Sequence, residues 1–215
     1  MKKLTYLFAA AAVFAACNSG NNGYTVTGTV EGAADGDTVF LQTAERRQLI
    51  KLDSAVITNG TFTFKGTQDS AVNRYITCRP SGKEGMLMDF FLENGTVNIK
   101  LSSGENDSAT GTTNNDLYQS IRDRQNELNR QINVIYQSMA DTALTDEQRE
   151  AKAKQMNELE KQYTAVAKEG IKQNINNAVG VFLLKKNHYY MSVEELDPLM
   201  PQIPEAYAVD ETIIR

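Results

Sequence analysis

The dipeptide Asn59-Gly60 constrains this chain more than any other feature. It sits inside Asp53-Ser-Ala-Val-Ile-Thr-Asn-Gly-Thr-Phe-Thr-Phe-Lys-Gly66, between two runs of alternating apolar and hydroxyl residues. Both central residues of a type I′ turn need positive φ, which asparagine and glycine tolerate, so the pattern predicts a two-residue β-hairpin. That register sets Thr58 against Thr61, Ile57 against Phe62 and Ala55 against Phe64. Ala55, Ile57, Phe62 and Phe64 then share one apolar face, and Val56, Thr58, Thr61 and Thr63 share the other.

The same design recurs from Tyr24 to Leu101. Tyr24-Thr-Val-Thr-Gly-Thr-Val30 alternates strictly, and Gly32-Ala-Ala-Asp-Gly-Asp37 turns the chain into Thr38-Val-Phe-Leu-Gln-Thr43. Leu49-Ile-Lys-Leu-Asp53 leads into the hairpin, and Val72 to Arg79 forms a further strand. Met86-Leu-Met-Asp-Phe-Phe-Leu92 is apolar on both faces, which predicts a place at the centre of the sheet system. A second turn, Asn94-Gly95, joins it to Thr96-Val-Asn-Ile-Lys-Leu101. Seven or eight short strands separated by turn signals predict an antiparallel β-sandwich or open barrel over 24–101.

Composition then changes. Residues 102–115 are rich in Ser, Gly, Thr and Asn, which predicts a linker. Asp116 opens a helix with Leu117, Ile121, Leu128, Ile132, Ile135 and Met139 in a narrow stripe. Thr145-Asp-Glu-Gln148 is a capping box for a second helix carrying Met156, Leu159, Tyr163, Val166, Gly170, Ile171 and Ile175. The two stripes predict an antiparallel helical hairpin over 116–177, and the fold class is α+β. Arg122, Asp123, Arg124 and Glu127, with Glu150, Lys152 and Lys154, form charged backs suited to solvent. Residues 178–215 read as short helices and a tail, with Ala178 to Leu184 buried and Ser192-Val-Glu-Glu195 capping one helix.

The first 16 residues read as an export signal: Lys2 and Lys3 precede the apolar run Leu4 to Ala16, which is too short to span a bilayer. The run ends in Phe14-Ala-Ala-Cys17, which resembles a lipobox, the signal for cleavage before Cys17 and acylation of its sulfur. The alternative is an ordinary signal peptide cut near Ala16, with Cys17 an incidental thiol. Residues 17–23 read as a polar, glycine-rich tether. The expectation is a lipid-anchored envelope protein whose mature part is periplasmic, held on a membrane by acyl chains at Cys17.

Removing residues 1–16 leaves 199 residues, with 20 Lys and Arg against 27 Asp and Glu, a formal charge of −7. An acidic chain without a basic cluster argues against nucleic-acid binding. Cys78 would be the one remaining thiol, alternating with Tyr75 and Thr77 and sharing a strand face with Ile76, as a small buried hydrophobe does. His188 has no Gly-x-Ser-x-Gly elbow to work with. Glu105-Asn-Asp107 lacks the rest of a calcium loop. Glu194 and Glu195 suit a helix start, and Asp53, Asp89 and Glu93 lie in or beside strands. No motif points to a catalytic residue, a metal or a cofactor.

The order of these segments resembles a known module. The Tyr24–Val30 opening, Gly36-Asp-Thr-Val-Phe-Leu41, the Asn59-Gly60 stretch, Phe91-Leu-Glu-Asn-Gly-Thr-Val97 and Thr110-Gly-Thr-Thr-Asn-Asn-Asp116 occur in sequence after the lipobox. Together they resemble the β-rich domain of unknown function (DUF4369-like) found ahead of thioredoxin-like, AhpC/TSA-type domains in envelope lipoproteins. Val179 to Leu184 and Ser192-Val-Glu-Glu-Leu196 resemble that module's closing segment, so the resemblance covers about residues 17–205. In that family the redox cysteines belong to the thioredoxin-like half, so no catalytic residue carries over. The resemblance implies a non-catalytic module acting through protein or ligand contacts. Alternatively, it implies the accessory half of a thiol–disulfide oxidoreductase with a thioredoxin-like partner.

Overall fold

The structure is a computed structural model, and it describes residues 23–208 apart from 47 and 105. Eight strands come first: β1 Tyr24–Val30, β2 Thr38–Glu45, β3 Gln48–Val56, β4 Phe62–Gly66, β5 Val72–Cys78, β6 Met86–Leu92, β7 Gly95–Leu101 and β8 Ser108–Thr110. They form two four-stranded sheets, ordered β4-β1-β7-β8 and β3-β2-β5-β6. All neighbours are antiparallel except β1 and β7, which run parallel from Tyr24–Gly95 to Val30–Leu101. Val26, Phe62, Phe64, Val97 and Ile99 of the first sheet meet Val39, Leu41, Ile76, Met88 and Phe90 of the second in one buried core. This is the expected sandwich of alternating strands, each giving every second side chain to the interior.

The two Asn-Gly turns do different work from that expected. Asn59 and Gly60 have φ of 51° and 73°, as a type I′ turn requires. Yet Thr58–Thr61 is the single bridge there, and the ladder predicted beyond it does not form. β3 pairs with β2 in the second sheet, and β4 pairs with β1 in the first. The turn is a crossing between sheets. Ile57, Phe62 and Phe64 still face one interior, but from opposite walls, where two aromatic rings can fill the space between sheets. Asp35 holds the crossing in place, accepting from Asn59 N and Gly60 N at 2.9 Å each. Asn94-Gly95 is likewise a crossing, because β6 belongs to the second sheet and β7 to the first.

The segment 102–115, expected as a linker, contains β8. Ala109, 3% exposed, is its apolar anchor, and its N–H donates to Gln119 Oε1 at 3.0 Å. Helix α1 spans Thr113–Ser138 and starts three residues before Asp116, with extended Thr112 as its N-cap. Asp116 instead accepts from Gly111 N. Tyr118, which the heptad-like stripe missed, is buried because the first turns of α1 lie against a sheet as well as a helix.

Helix α2, Asp146–Asn174, begins with the predicted Thr145–Gln148 capping box. Arg124–Glu169 and Lys152–Ser138 contacts place α1 and α2 side by side in opposite directions. Helix α3, Ala178–Asn187, is buried on nearly all sides, and α4, Val193–Leu196, carries the Ser192–Glu195 capping box. A second core joins α1, α2 and α3 to Phe91 of β6. The rings of Phe91, Tyr118 and Phe182 meet edge to face at centroid distances of 5.5–5.6 Å. The molecule therefore has three layers: sheet, sheet, helices.

β6 lies between the two cores, with Phe90 facing one and Phe91 the other. It is nonetheless an edge strand, not the centre of its sheet. Its free edge is closed by Asn115, which is fully buried: Oδ1 accepts from Phe91 N at 2.9 Å and Nδ2 donates to Phe91 O at 2.7 Å. The amide side chain thus takes the part of a neighbouring strand.

Glu195 ties α4 to α2. Lys168 and Lys172 each approach its carboxylate to 2.8 Å and, with the backbone N–H of Ser192, hold its pKa down to about 2. A carboxyl depressed below its ordinary value of 4.5 contributes stability that is present above that value and lost as pH falls toward 2. For a partly exposed clamp the contribution is about 1 kcal/mol. Denaturant titrations near neutral pH and near pH 2 should show wild type losing more stability between the two than Glu195→Gln.

Candidate interaction surfaces

The acidic residues that could serve chemistry are committed to structural bonds. Asp107 is buried and pairs with Arg122 at 2.6 Å; burial nevertheless raises its pKa against the opposing pull of that guanidinium. Asp89 accepts from the Tyr118 hydroxyl at 2.8 Å and lies 3.9 Å from Lys186. Glu93 accepts from Asn114 N and Nδ2, and Asp53 from Ser54 N. Glu194, beside the clamped Glu195, is held low by the Ser192 hydroxyl. His188 sits half-buried with Nδ1 3.2 Å from Lys185 O, a bond within its own turn.

Among the described residues no three His, Cys, Asp or Glu side chains gather to hold a metal ion. Among them, too, no helix is long and apolar enough to cross a membrane. Glu105 lies outside the described residues, as do Lys2, Lys3 and the lipidation candidate Cys17. The charged backs of α1 and α2 are mostly exposed, with Glu127–Arg130 and Glu150–Lys154 pairs along the helices.

Cys78 is 2% exposed beside Ile76, and burial, then the charge of Asp37, pushes its thiol pKa up. A buried thiol kept in its protonated form is a poor nucleophile. In a Cys17→Ser background, a thiol reagent should label Cys78 only after the protein is unfolded; labelling of the folded protein would contradict its packing role.

Two surfaces stand out among the described residues. The first is β3, the outermost strand of the second sheet, whose far edge has no partner strand among the described residues. Leu49, Ile50, Leu52 and Val56 are 38%, 40%, 49% and 58% exposed. A bulge opposite Leu41 and Gln42 leaves Leu52 without a cross-strand partner. Because Leu49 pairs with Ala44 and Ile50 with Thr43, apolar side chains stand on both faces of this edge. The signal was present in the sequence: Leu49, Ile50 and Leu52 break the alternation that a half-buried strand would keep.

The second is a cleft of 440 Å³ where the second sheet opens. β2 and β5 pair from Val39–Cys78 to Gln42–Tyr75 and then part. The gap is bounded by Thr43 and Ala44 on one side and Ala71–Tyr75 on the other. Helix α3 and Ala206–Ala208 complete its walls. Ala178, Val181, Phe182 and Lys185, spaced three and four apart, present one face of α3 to it. Burial, then the charge of Asp89, raises the pKa of Tyr75 and keeps its hydroxyl neutral. No motif in the sequence announced this cleft, because its lining comes from five separate stretches of chain.

Compared with known families, residues 24–118 match the model of a domain of unknown function, DUF4369. The match runs from β1 through β8 to Tyr118, so it takes in the Asn115 bond to β6. No curated protein matches the chain.

Proposed function

We propose, from the premise that residues 24–118 of this chain are a DUF4369 domain, that the protein is a non-catalytic, lipid-anchored envelope module that works by contact. Acyl chains on Cys17 hold it at the membrane, and β3 is the surface it offers to a protein partner. The supporting observation is the unpaired outer strand, which carries four exposed aliphatic side chains on both its faces. Exposed apolar groups gathered on a free strand edge mark a place where another chain packs. The order of motifs favours a thioredoxin-like protein or domain as that partner, which would make this chain the accessory half of a thiol–disulfide system. Its own contribution is then position rather than electron transfer.

The test is a photo-crosslinking amino acid placed at Leu52 in the full chain on its native membranes, with the same group at Glu150 on the charged back as reference. A discrete protein adduct from position 52 and none from 150 is expected. Equal or absent adducts at both positions would remove β3 as the contact surface. In parallel, Cys17→Ser should move the protein from the membrane fraction to the soluble fraction.

A further inference from the structure

The cleft between β5, the end of β2 and α3 carries an observation independent of β3. Its floor includes Phe91, Val181 and Phe182, which belong to or pack on the helical core. Around that apolar floor stand the Tyr75 and Tyr207 hydroxyls and the Lys185 ammonium, none with a hydrogen-bond or ion-pair partner among the described residues. Arg74 also lines the cleft, with Nη1 donating to Asn73 O at 2.8 Å and its buried Nε–H unbonded. Asp89, the carboxylate next to Tyr75, is engaged by Tyr118 and Lys186. One cation, Lys185, and two phenols without partners among the described residues, grouped over aromatic and branched side chains, form an environment short of negative charge.

We infer that this cleft binds a carboxylate attached to an apolar group of about the size of an aromatic or branched amino-acid side chain. The apolar part lies on Phe91, Val181 and Phe182, and the carboxylate accepts from Lys185 and the tyrosine hydroxyls. The cleft's 440 Å³ falls within the range of small-ligand sites, which runs from about 300 to 1,000 Å³. Charge-assisted bonds to a carboxylate are the stronger kind, so the acid group supplies the selectivity and the floor supplies the burial.

The test uses the full chain, ¹⁵N-labelled, titrated with N-acetyl-L-phenylalanine and separately with its uncharged amide. Saturable shifts are expected at Val181, Lys185 and Tyr207, with the amide weaker by about tenfold, the loss of one charge-assisted bond. Lys185 is exposed, so Lys185→Ala should keep the wild-type melting temperature and weaken the acid by about the same factor while leaving the amide unchanged. Tyr75→Phe should weaken the acid less than Lys185→Ala. The inference is overturned if neither probe gives saturable shifts at the cleft, if acid and amide bind alike, or if Lys185→Ala leaves acid binding intact.

Discussion

Replacing Asn115 by alanine is expected to lower the stability of the folded chain by about 3 kcal/mol, because it strips partners from buried polar groups without replacing them. Asn115 is fully buried, and its amide makes three bonds: from Phe91 N, to Phe91 O and to Thr112 Oγ1 at 2.8 Å. In the alanine variant the Phe91 N–H and C=O, on the free edge of β6, lose their bonds to the protein in a place closed to water. The loss is more than local. Phe91 is the ring through which the second sheet meets Tyr118 and Phe182, so loosening its backbone loosens the seat of the helical layer. Asn115→Asp should be as damaging, since a carboxylate cannot donate to Phe91 O. Asn114→Ala is the contrast. It gives up only the bond from Nδ2 to partly buried Glu93 Oε2, its backbone N–H still donating to Glu93 Oε1, and should cost less than about 1 kcal/mol. Denaturant unfolding of the three variants, followed by far-UV circular dichroism, checks the order; similar midpoints for Asn115→Ala and Asn114→Ala would contradict it.

Gly180→Ala is expected to be at least as severe, at about 3 kcal/mol or more, or to prevent folding. Here the cause is close approach. A Cβ at position 180 would fall 1.9 Å from Asn174 O and 2.1 Å from Asn174 C, inside the last turn of α2. Those are backbone atoms and cannot turn aside as a flexible side chain can. Gly180 is also held by its N–H, which with that of Val179 donates to the N-cap Asn177 Oδ1. Shifting α3 to relieve the clash would break this cap and move Val181 and Leu184 in the second core. Gly85→Ala gives the comparison: its added methyl would meet only the Arg79 guanidinium at 3.4 Å or beyond. A melting temperature for Gly180→Ala close to that of Gly85→Ala would show that the α2–α3 crossing is looser than described.

The strands could be read from the sequence because their side chains alternate, and the caps because Thr145 and Ser192 each stand three residues before a glutamine or glutamate. What the alternation does not encode is which strand lies beside which. Asn59-Gly60 specifies a tight reversal, and the reversal is there, but whether its two arms pair or part is decided by β1 and β2, the strands outside the turn with which the arms pair instead. The same limit explains β8. A three-residue strand with one alanine facing inward leaves no pattern in a Ser- and Thr-rich stretch, and it forms because β7 presents an edge.

Site residues divide in the same way. The buried character of Cys78 follows from its register with Ile76 and was legible. The pairing of Asp89 with Tyr118, and the open cleft at Tyr75, Lys185 and Tyr207, join residues separated by tens of positions and needed the fold. The exposed edge at β3 lay between these cases. Its broken alternation was visible, but its outermost position in the sheet was not.

The measurement that bears most directly on a contact role is hydrogen exchange across β3, from Leu49 to Val56. It compares the protein on its native membranes with the same protein purified free of them. Amides on the outer side of an edge strand exchange quickly unless something covers them. Slower exchange in this strand on native membranes, absent on vesicles of the extracted lipids alone, is the predicted result. Equal exchange in all three settings, or protection by the lipid vesicles alone, would contradict the account.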